Sequence, residues 1–199
     1  MSTADYARSR GGLLPAAPGS LRYRALNIER LTHPVPAADF AALCAILLEC
    51  VQAGVSIGFI DPLAPGEIEA YWRKVAGEAA AGTRLILVAR EAALGPVVGS
   101  AQLAFESKAN GRHRAEVQKV IVSAARRRKG IAASLIAEIE SAARSRGLGL
   151  LYLDTTDGPK GARKFYDAVG YAYVGGIPGY AVDPDGTPER NAIYYKALA

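Results

Sequence analysis

The segment from Glu116 to Ala142 constrains the fold more than any other part of the sequence. It consists of a β-branched run, four consecutive cations and then apolar residues at helical spacing, reading EVQKVIVSAARRRKGIAASLIAEIESA. This order predicts a strand that continues through a tight basic turn into the N-terminus of a helix. Because the first N–H groups of a helix have no intrahelical acceptors, such a turn favours a bound phosphate group. Taken alone, it also fits a solvated, basic helix start without a ligand.

The net charge and its distribution along the sequence indicate which class of partner such an anion site binds. The chain has 199 residues, half of them hydrophobic, and a net charge of +5. Much of that charge comes from the cations at 126–129, whereas a nucleic-acid-binding protein spreads Lys and Arg over a whole face. We therefore expect no nucleic-acid partner. The length predicts a single domain over residues 22–199, preceded by a disordered lead-in over residues 1–21.

Cysteines, histidines and hydropathy argue against several other classes of protein. Cys44 and Cys50 lie about 240° apart on one predicted helix, so they are expected to be unbridged core thiols in a reducing compartment. His33 and His113 have no metal-ligand spacing to each other or to the cysteines, and we expect no metal site. We also expect no signal peptide and no membrane span. The expected location is therefore the cytoplasm.

The hydrophobic periodicity predicts a mixed α+β fold with the element order β-α-α-β-β-β-α-β-α-β-β. The predicted helices span residues 36–54, 65–81, 127–146 and 162–169. The predicted strands span residues 23–31, 84–90, 97–107, 115–122, 150–154, 171–175 and 191–197. Because a helix joins the fourth strand to the fifth, these two strands are expected to be parallel. The three strands before that helix are expected to pair antiparallel.

The basic turn and a later aromatic motif resemble those of the GNAT acyltransferases. The turn RRKGIA at 127–132 fits the family signature (Gln/Arg)-x-x-Gly-x-(Gly/Ala), and FY at 165–166 with GY at 170–171 fits the later aromatic pattern. The resemblance covers residues 23–199. It implies the GNAT fold, a central mixed, mostly antiparallel sheet of about seven strands with one parallel pair and about four flanking helices. It also implies acetyl-CoA as the co-substrate.

The sequence is also similar to the tabtoxin-resistance acetyltransferases, GNAT enzymes that acetylate a small β-lactam amino-acid toxin. The similarity rests on the strings NGRHRAEVQK, LLYLDT, KFYDAVGYAYVGGIPGY, PDG and AIYYKAL. One position departs from the wider family, because Pro159 stands where many members carry an Asn that contributes to CoA binding. At this position only the backbone is available to the cofactor.

The turn and the strand before it form the predicted cofactor site. A pyrophosphate needs converging donors without side chains in the way, and Gly130 permits close backbone approach while Ala132 keeps the helix face small. The backbone of the preceding strand would bind the pantetheine arm, and an N–H near Val120 would stabilise an oxyanion. The predicted cofactor-binding residues are Val120, Ile121, Val122, Arg127, Arg128, Lys129, Gly130, Ile131, Ala132, Ala133 and Ser134.

Two carboxylates are the candidate bases. Strict alternation predicts that the even-numbered residues from 116 to 122 share one face, and burial there would raise the pKa of Glu116 toward that of a general base. Asp154 follows an apolar run at the carboxyl end of the next parallel strand, where open sheets bind ligands. The resemblance implies that the pair activates the acceptor, directly or through water. The alternatives are that Glu116 pairs with Arg114 or Lys119 and that Asp154 caps the following turn.

Aromatic residues complete the predicted site. Tyr166 lies beside the core stripe of its predicted helix, and the resemblance gives it the role of the acid that protonates the departing sulfur. The alternative is a core tyrosine whose hydroxyl is satisfied locally. The segment 56–60 and the loop 177–188 are expected to line the acceptor pocket, with Phe59 and Tyr180 as its walls.

The leading hypothesis is an acetyl-CoA-dependent acyltransferase that acts on the amine or hydroxyl of a small amino-acid-like molecule, with toxin or antibiotic resistance as one role. Direct attack is preferred to a covalent acyl-enzyme because neither cysteine lies near a motif. A CoA-binding sensor or regulator with little turnover stays open as an alternative. So does a protein N-acetyltransferase, which needs an open acceptor groove. The expected assembly is a monomer or a homodimer.

Overall fold

A computed structural model describes residues 26–158, 162–183 and 186–198. The strands are β1 Asn27–Arg30, β2 Arg84–Arg90, β3 Val97–Phe105, β4 Arg114–Val122, β5 Leu150–Thr156, β6 Ala172–Gly175, β7 Ala181–Val182, β8 Pro188–Glu189 and β9 Asn191–Ala197. The helices are α1 Ala37–Gln52, α2 Glu67–Ala80, α3 Ile131–Ser145 and α4 Arg163–Ala168. The predicted lead-in 1–21, the beginning of the first predicted strand and Pro159 lie outside the described residues.

Seven strands form one sheet in the order β1-β2-β3-β4-β5-β9-β6. Its strands pair antiparallel except for β4 and β5, which are parallel because α3 carries the chain back between them. The predicted fold class, a mostly antiparallel sheet with one parallel pair and four helices, is confirmed. The strands β7 and β8, which the sequence assigns to a loop, form a separate two-stranded hairpin. None of the described helices is long and apolar enough to cross a membrane.

Helices cover the sheet on both faces. Leu135 and Ile139 of α3 pack on one face together with Leu151 of β5, and Leu47 of α1 packs on the other face with Trp72 of α2. Trp72 is only 1% exposed. Because β2 lies between these two layers, its sequence is apolar along nearly its whole length instead of alternating.

A β-bulge interrupts β4. The register between β3 and β4 pairs Gln102 with Gln118 and then Ser100 with Ile121. Two residues of β4 therefore lie opposite a single residue of β3. Lys119, the first of the two, has a φ of 48°, in the left-handed region that residues other than glycine rarely adopt. The bulge locally bends and twists the strand that precedes the basic turn.

The bulge reverses the pattern of side-chain burial along β4. Ahead of it, Ala115 and Val117 pack in the core under α3; beyond it, Val122 packs in that core and Ile121 packs in the core under α1 and α2. The prediction that the even-numbered residues from 116 to 122 share one face is therefore wrong. The alternation of a single sequence contains no signal for one inserted residue.

The two parallel strands separate after a short contact. β4 and β5 form three residue pairs, of which the last joins Glu116 to Tyr152. Both strands continue beyond that pair, to Val122 and Thr156. Their carboxyl ends therefore diverge and open a cleft, which is where open sheets bind ligands.

Candidate active site

The turn between β4 and α3 presents a row of free backbone N–H groups. α3 begins at Ile131, later than the predicted start at Arg127, because a 3-10 turn and left-handed residues precede it. Arg128 and Gly130 have φ values of 61° and 78°, and residues of this kind turn neighbouring N–H groups toward one concave side. The N–H groups from Arg128 to Ala133 have no acceptor in the part of the chain that the structure describes. The row is therefore available to an anion.

Contacts with the end of α1 fix this turn in place. The Nε atom of Arg127 donates to the carbonyl oxygen of Val122 at 3.2 Å, and its Nη2 atom lies 3.5 Å from the Sγ atom of Cys50. The N–H of Ala124 donates to the carboxylate of Glu49 at 2.9 Å. Arg127 therefore clamps the turn to β4 and α1.

The other cations of the turn differ in their partners. Arg126 pairs with Glu91 at 2.8 Å, and the ammonium of Lys129 lies 4.0 Å from the same carboxylate. Arg128 has no ion-pair partner among the residues that the structure describes. Within the described residues, Arg128 is therefore the cation of the turn whose guanidinium remains available to a ligand.

A cavity of about 430 Å³ lies between this turn and α4. It is lined by Val120, Val122, Arg126, Arg127, Arg128, Gly130, Ile131, Ala132, Ala133, Ala162, Phe165 and Tyr166. Three residues predicted to bind the cofactor are absent from this described lining: Ile121, Lys129 and Ser134. Ile121 is buried under α1 and α2, and the N–H of Ser134 donates to the carbonyl oxygen of Gly130 at 3.0 Å.

A second cavity, of about 350 Å³, lies in the cleft between β4 and β5. Its walls are residues 55–58 of the α1–α2 connection, residues 116–120 of β4 and residues 154–156 of β5, together with Tyr166 and Tyr180. Both cavities are lined by Val120, Ala162 and Tyr166. The two cavities therefore meet at Tyr166.

Glu116 and Asp154 line the second cavity together. Glu116 is half-buried and Asp154 is exposed toward the cavity. Burial raises the pKa of Glu116 above its ordinary value, and the charge of Asp154 acts in the same direction. A hydrogen bond from the Gln118 side chain and the positive charge of Arg84 act in the opposite direction. Glu116 is therefore a carboxylate that accepts a proton more readily than an exposed one.

The structural alternatives for the two carboxylates do not occur in the described residues. Arg114 pairs with Glu106 at 3.0 Å, not with Glu116. Asp154 lies inside β5, opposite Ile193 of β9, and so does not cap a turn.

Tyr166 belongs both to the core and to the site. Its ring packs against Phe165, Tyr171 and Tyr194 at centroid distances of 5.1, 5.9 and 5.7 Å, and the residue is 7% exposed. Burial, and to a lesser degree the charge of Asp154, raises the pKa of Tyr166 well above its ordinary value. The phenol therefore keeps its proton at neutral pH and is fixed in position by its aromatic neighbours.

The two predicted walls have different positions. Tyr180 is half-exposed and lines the second cavity, where the charge of Asp154 raises its pKa. The Phe59 ring instead packs edge-on against Tyr71, at 5.4 Å and an interplanar angle of 86°. Phe59 is not among the described lining residues, although the segment 55–58 just before it is.

Sequence reasoning did not predict that Lys119 lines the second cavity, and it missed a polar network next to Gln118. Lys119 lines the second cavity because the bulge places its side chain there, and burial lowers its pKa. In the network, the Nη1 atom of Arg84 donates to Gln102 at 2.8 Å and to Gln118 at 2.7 Å, and the Tyr71 hydroxyl donates to Gln102 at 3.0 Å. The sequence contains one indication of this network. Gln102 is a polar residue within a mostly apolar strand, and it is fully buried.

Comparison with known proteins places this site in a family. Residues 51–171 match the model of the Acetyltransferase (GNAT) family. The match covers more than half of the chain, and the protein belongs to the GNAT acetyltransferase family. The predicted family resemblance is thereby confirmed.

Solved structures with this fold come from several bacteria. Ribosomal-protein-alanine N-acetyltransferase from Brucella melitensis is 25% identical with a TM-score of 0.72, over 86% of this chain and 99% of that chain. The yncA protein from Salmonella typhimurium, solved with its cofactor acetyl-CoA, is 18% identical with a TM-score of 0.71, over 88% and 95%. A phosphinothricin acetyltransferase from Sinorhizobium meliloti, in complex with acetyl-CoA, is 20% identical with a TM-score of 0.69, over 87% and 89%.

The cofactor of this family member is acetyl-CoA, as predicted. The first cavity fits such a ligand, since it combines free N–H groups from Arg128 to Ala133 with the uncommitted guanidinium of Arg128. It shares the lining residues Val120, Ala162 and Tyr166 with the cavity that contains the two carboxylates.

Proposed function

We propose that this protein transfers the acetyl group of acetyl-CoA, by direct attack, to the amine or hydroxyl of a small amino-acid-like molecule. The observation that carries the proposal is the meeting of two cavities at Tyr166. One cavity has an amide-lined anion site at its far end, and the other contains Glu116 and Asp154. Donor and acceptor would therefore reach the same buried phenol from opposite sides.

The turn and β4 would hold the cofactor. When bound, acetyl-CoA supplies an acetyl thioester. The N–H groups from Arg128 to Ala133 would bind its pyrophosphate, and Arg128 would add positive charge. The edge of β4 at Val120 and Val122, which the divergence from β5 leaves open, would bind the pantetheine arm. Glu49 and Arg127 would act indirectly, by keeping the turn in place.

Two side chains would move the protons, and a third would act through its charge. The carboxylate of Glu116 accepts a proton from the acceptor's ammonium or hydroxyl group, directly or through water, and releases it afterwards to solvent. A bond then forms between the acceptor's nitrogen or oxygen and the acetyl carbon, and the carbon–sulfur bond breaks. Tyr166 donates its phenolic proton to the departing thiolate and is then reprotonated by the second proton that leaves the acceptor's nitrogen, or by solvent when the acceptor is a hydroxyl. The carboxylate of Asp154 favours the acceptor's ammonium group and adds to the effect of burial, which raises the pKa of Glu116.

The size of the second cavity and its two carboxylates support a small acceptor that carries an amino group. A volume of about 350 Å³ is at the lower end for small-molecule sites, and two carboxylates line it. A role in resistance to a toxin is supported by the sequence similarity to the tabtoxin-resistance acetyltransferases. Two structural neighbours are likewise named for phosphinothricin.

A second candidate function is acetylation of protein N-termini. It is favoured by the 25% identity to ribosomal-protein-alanine N-acetyltransferase. Tyr180 over the second cavity favours a small acceptor instead, since a peptide needs an open groove. A CoA-binding sensor with little turnover is disfavoured by the joint presence of Glu116, Asp154 and Tyr166 at one point.

The test is release of free thiol from acetyl-CoA with a panel of amino acids, simple amines, hydroxyl compounds and short peptides. The proposal expects release with small amino compounds and little with peptides. Faster release with peptides would favour the second candidate. Binding of acetyl-CoA without release for any acceptor would contradict the proposal and favour the sensor.

A further inference from the structure

We infer that Lys119 binds the carboxylate of the acceptor, so that the substrate is an amino carboxylate whose amine lies near Glu116 and Asp154 in the second cavity. The inference rests on the proposed transferase function and specifies its substrate class. It concerns a side chain that takes no part in the proton transfers proposed above.

The bulge in β4 is the reason that Lys119 reaches this cavity. In a regular strand, Lys119 would point to the face opposite Glu116, because side chains alternate. The left-handed backbone at Lys119, with a φ of 48°, breaks that alternation and brings both side chains into the lining of one cavity. A strained, non-glycine residue of this kind is costly and tends to persist where it serves a site.

Among the residues that the structure describes, none forms an ion pair with the ammonium of Lys119. It forms no hydrogen bond and no ion pair within 4.0 Å with any residue in the described ranges, although Glu116 and Asp154 are near enough for their charges to affect it. A half-buried cation without a partner is unfavourable. An anionic group of the ligand would remove this cost when it binds.

Two aromatic rings and a glycine surround the ammonium of Lys119. Its Nζ atom lies 5.8 Å from the centroid of the Phe59 ring and 5.4 Å from that of Tyr71, so two aromatic faces stabilise the cation. A Cβ at residue 58 would lie 3.5 Å from Nζ, at ordinary van der Waals contact, so the backbone of Gly58 lies beside the ammonium. Phe59 thus shapes the acceptor site through Lys119, without lining the cavity itself.

Arg190, the other cation among the described residues that line this cavity, already has an ion-pair partner. The Nε atom of Arg190 lies 3.7 Å from the carboxylate of Asp157, and its side chain is half-exposed. Lys119 is therefore the better anchor for an anion. An acceptor with an amine near Glu116 and Asp154 and a carboxylate on Lys119 would match the charges that line the cavity. An amine without a carboxylate would leave the buried ammonium unpaired, and such sites reject the analogue that lacks the group.

The experiment compares each amino acid with its own carboxamide, which keeps the amine and removes the negative charge. Acetyl transfer is followed by thiol release for wild-type protein, K119M, K119R and K74M. Lys74 is the matched control, because its side chain is 75% exposed and it lies outside both cavities. Calorimetric titration with acetyl-CoA shows for each variant whether the fold and the cofactor site are intact.

We expect wild-type protein and K74M to prefer the best amino acid over its carboxamide by about ten- to hundredfold in kcat/KM, as for a hydrogen bond to a charged group. K119M should lose this preference, mainly through a higher KM for the acid, and K119R should keep part of it. Equal use of acid and carboxamide by wild-type protein, or a preserved preference in K119M, would overturn the inference and leave the transferase function standing. Turnover confined to amines without a carboxylate would do the same. Absence of thiol release with every acceptor would overturn both.

Discussion

The guanidinium of Arg84 donates a hydrogen bond of 2.7 Å to the Oε1 atom of Gln118. Because that oxygen accepts from Arg84, the amide nitrogen of Gln118 is the group that donates to Glu116. The hydrogen bond from Gln118 to Glu116 lowers the pKa of the Glu116 carboxyl. Arg84 is itself held by Glu78 at 2.7 Å and is largely buried. The network of Glu78, Arg84 and Gln118 therefore opposes the effect of burial on the pKa of Glu116, the candidate base.

Replacing Arg84 with Met should raise the pKa of Glu116 further. The variant removes a positive charge near Glu116 and the anchor of Gln118, both of which favour the charged carboxylate. The acidic limb of the pH profile of kcat/KM should therefore move to higher pH than in wild-type protein. R84K, which keeps the charge, should move it less. An acidic limb at the wild-type position in a folded R84M protein would rule out this role.

Replacing Glu116 with Gln tests the base directly. A base works in its deprotonated form, so the rate should rise with pH through the pKa of Glu116, which burial has raised. E116Q should lower kcat/KM by about a hundredfold and flatten the acidic side of the profile. E138Q, on the exposed surface of α3, is the control for loss of one carboxylate. A profile unchanged in E116Q would assign the base to another group, with Asp154 the first to test.

Replacing Tyr166 with Phe should reduce kcat by about ten- to hundredfold, because the variant removes only the hydroxyl that would protonate the thiolate. Affinity for acetyl-CoA, measured by calorimetry, should change by less than about twofold, since the ring still packs on its neighbours. Y171F is the matched control: its ring lies 5.9 Å from that of Tyr166, and its hydroxyl is buried without a partner in the described structure. Equal activity of Y166F and wild-type protein would remove the phenol from the mechanism.

Much of the fold is predictable from the sequence where burial produces a regular pattern of hydrophobic residues. The strands 84–90 and 191–197 were predicted with the bounds that the structure gives them. The parallel pairing of β4 and β5 followed from the helix between them. The hairpin of β7 and β8 was missed because strands of two residues have no periodicity to detect.

The site was predictable only in part, and the bulge is the reason. The three residues predicted to be catalytic all line one cavity: Glu116, Asp154 and Tyr166. Lys119 was assigned to the opposite face, because period-two alternation was carried through a strand that contains an extra residue. The partners of Arg127 also depend on tertiary contacts with α1, which no local pattern encodes.

Replacing Gly130 with Ala tests the cofactor site, and Gly147 at the end of α3 provides a matched control. The two glycines have φ values of 78° and 71°, and a Cβ would meet nothing within 4 Å at either position. Each substitution should therefore lower the free energy of unfolding by about 1 kcal/mol, from backbone strain alone. Denaturant unfolding of the two variants measures that effect.

Calorimetric titration of acetyl-CoA into wild-type protein, G147A and G130A tests the central claim most directly, which is that the free amides beside Gly130 bind the pyrophosphate. We expect similar heat and affinity for wild-type protein and G147A. For G130A we expect affinity lower by about tenfold or more, because the strained turn no longer presents its N–H groups together. Equal affinity in all three proteins, or no heat with the folded wild-type protein, would contradict the account.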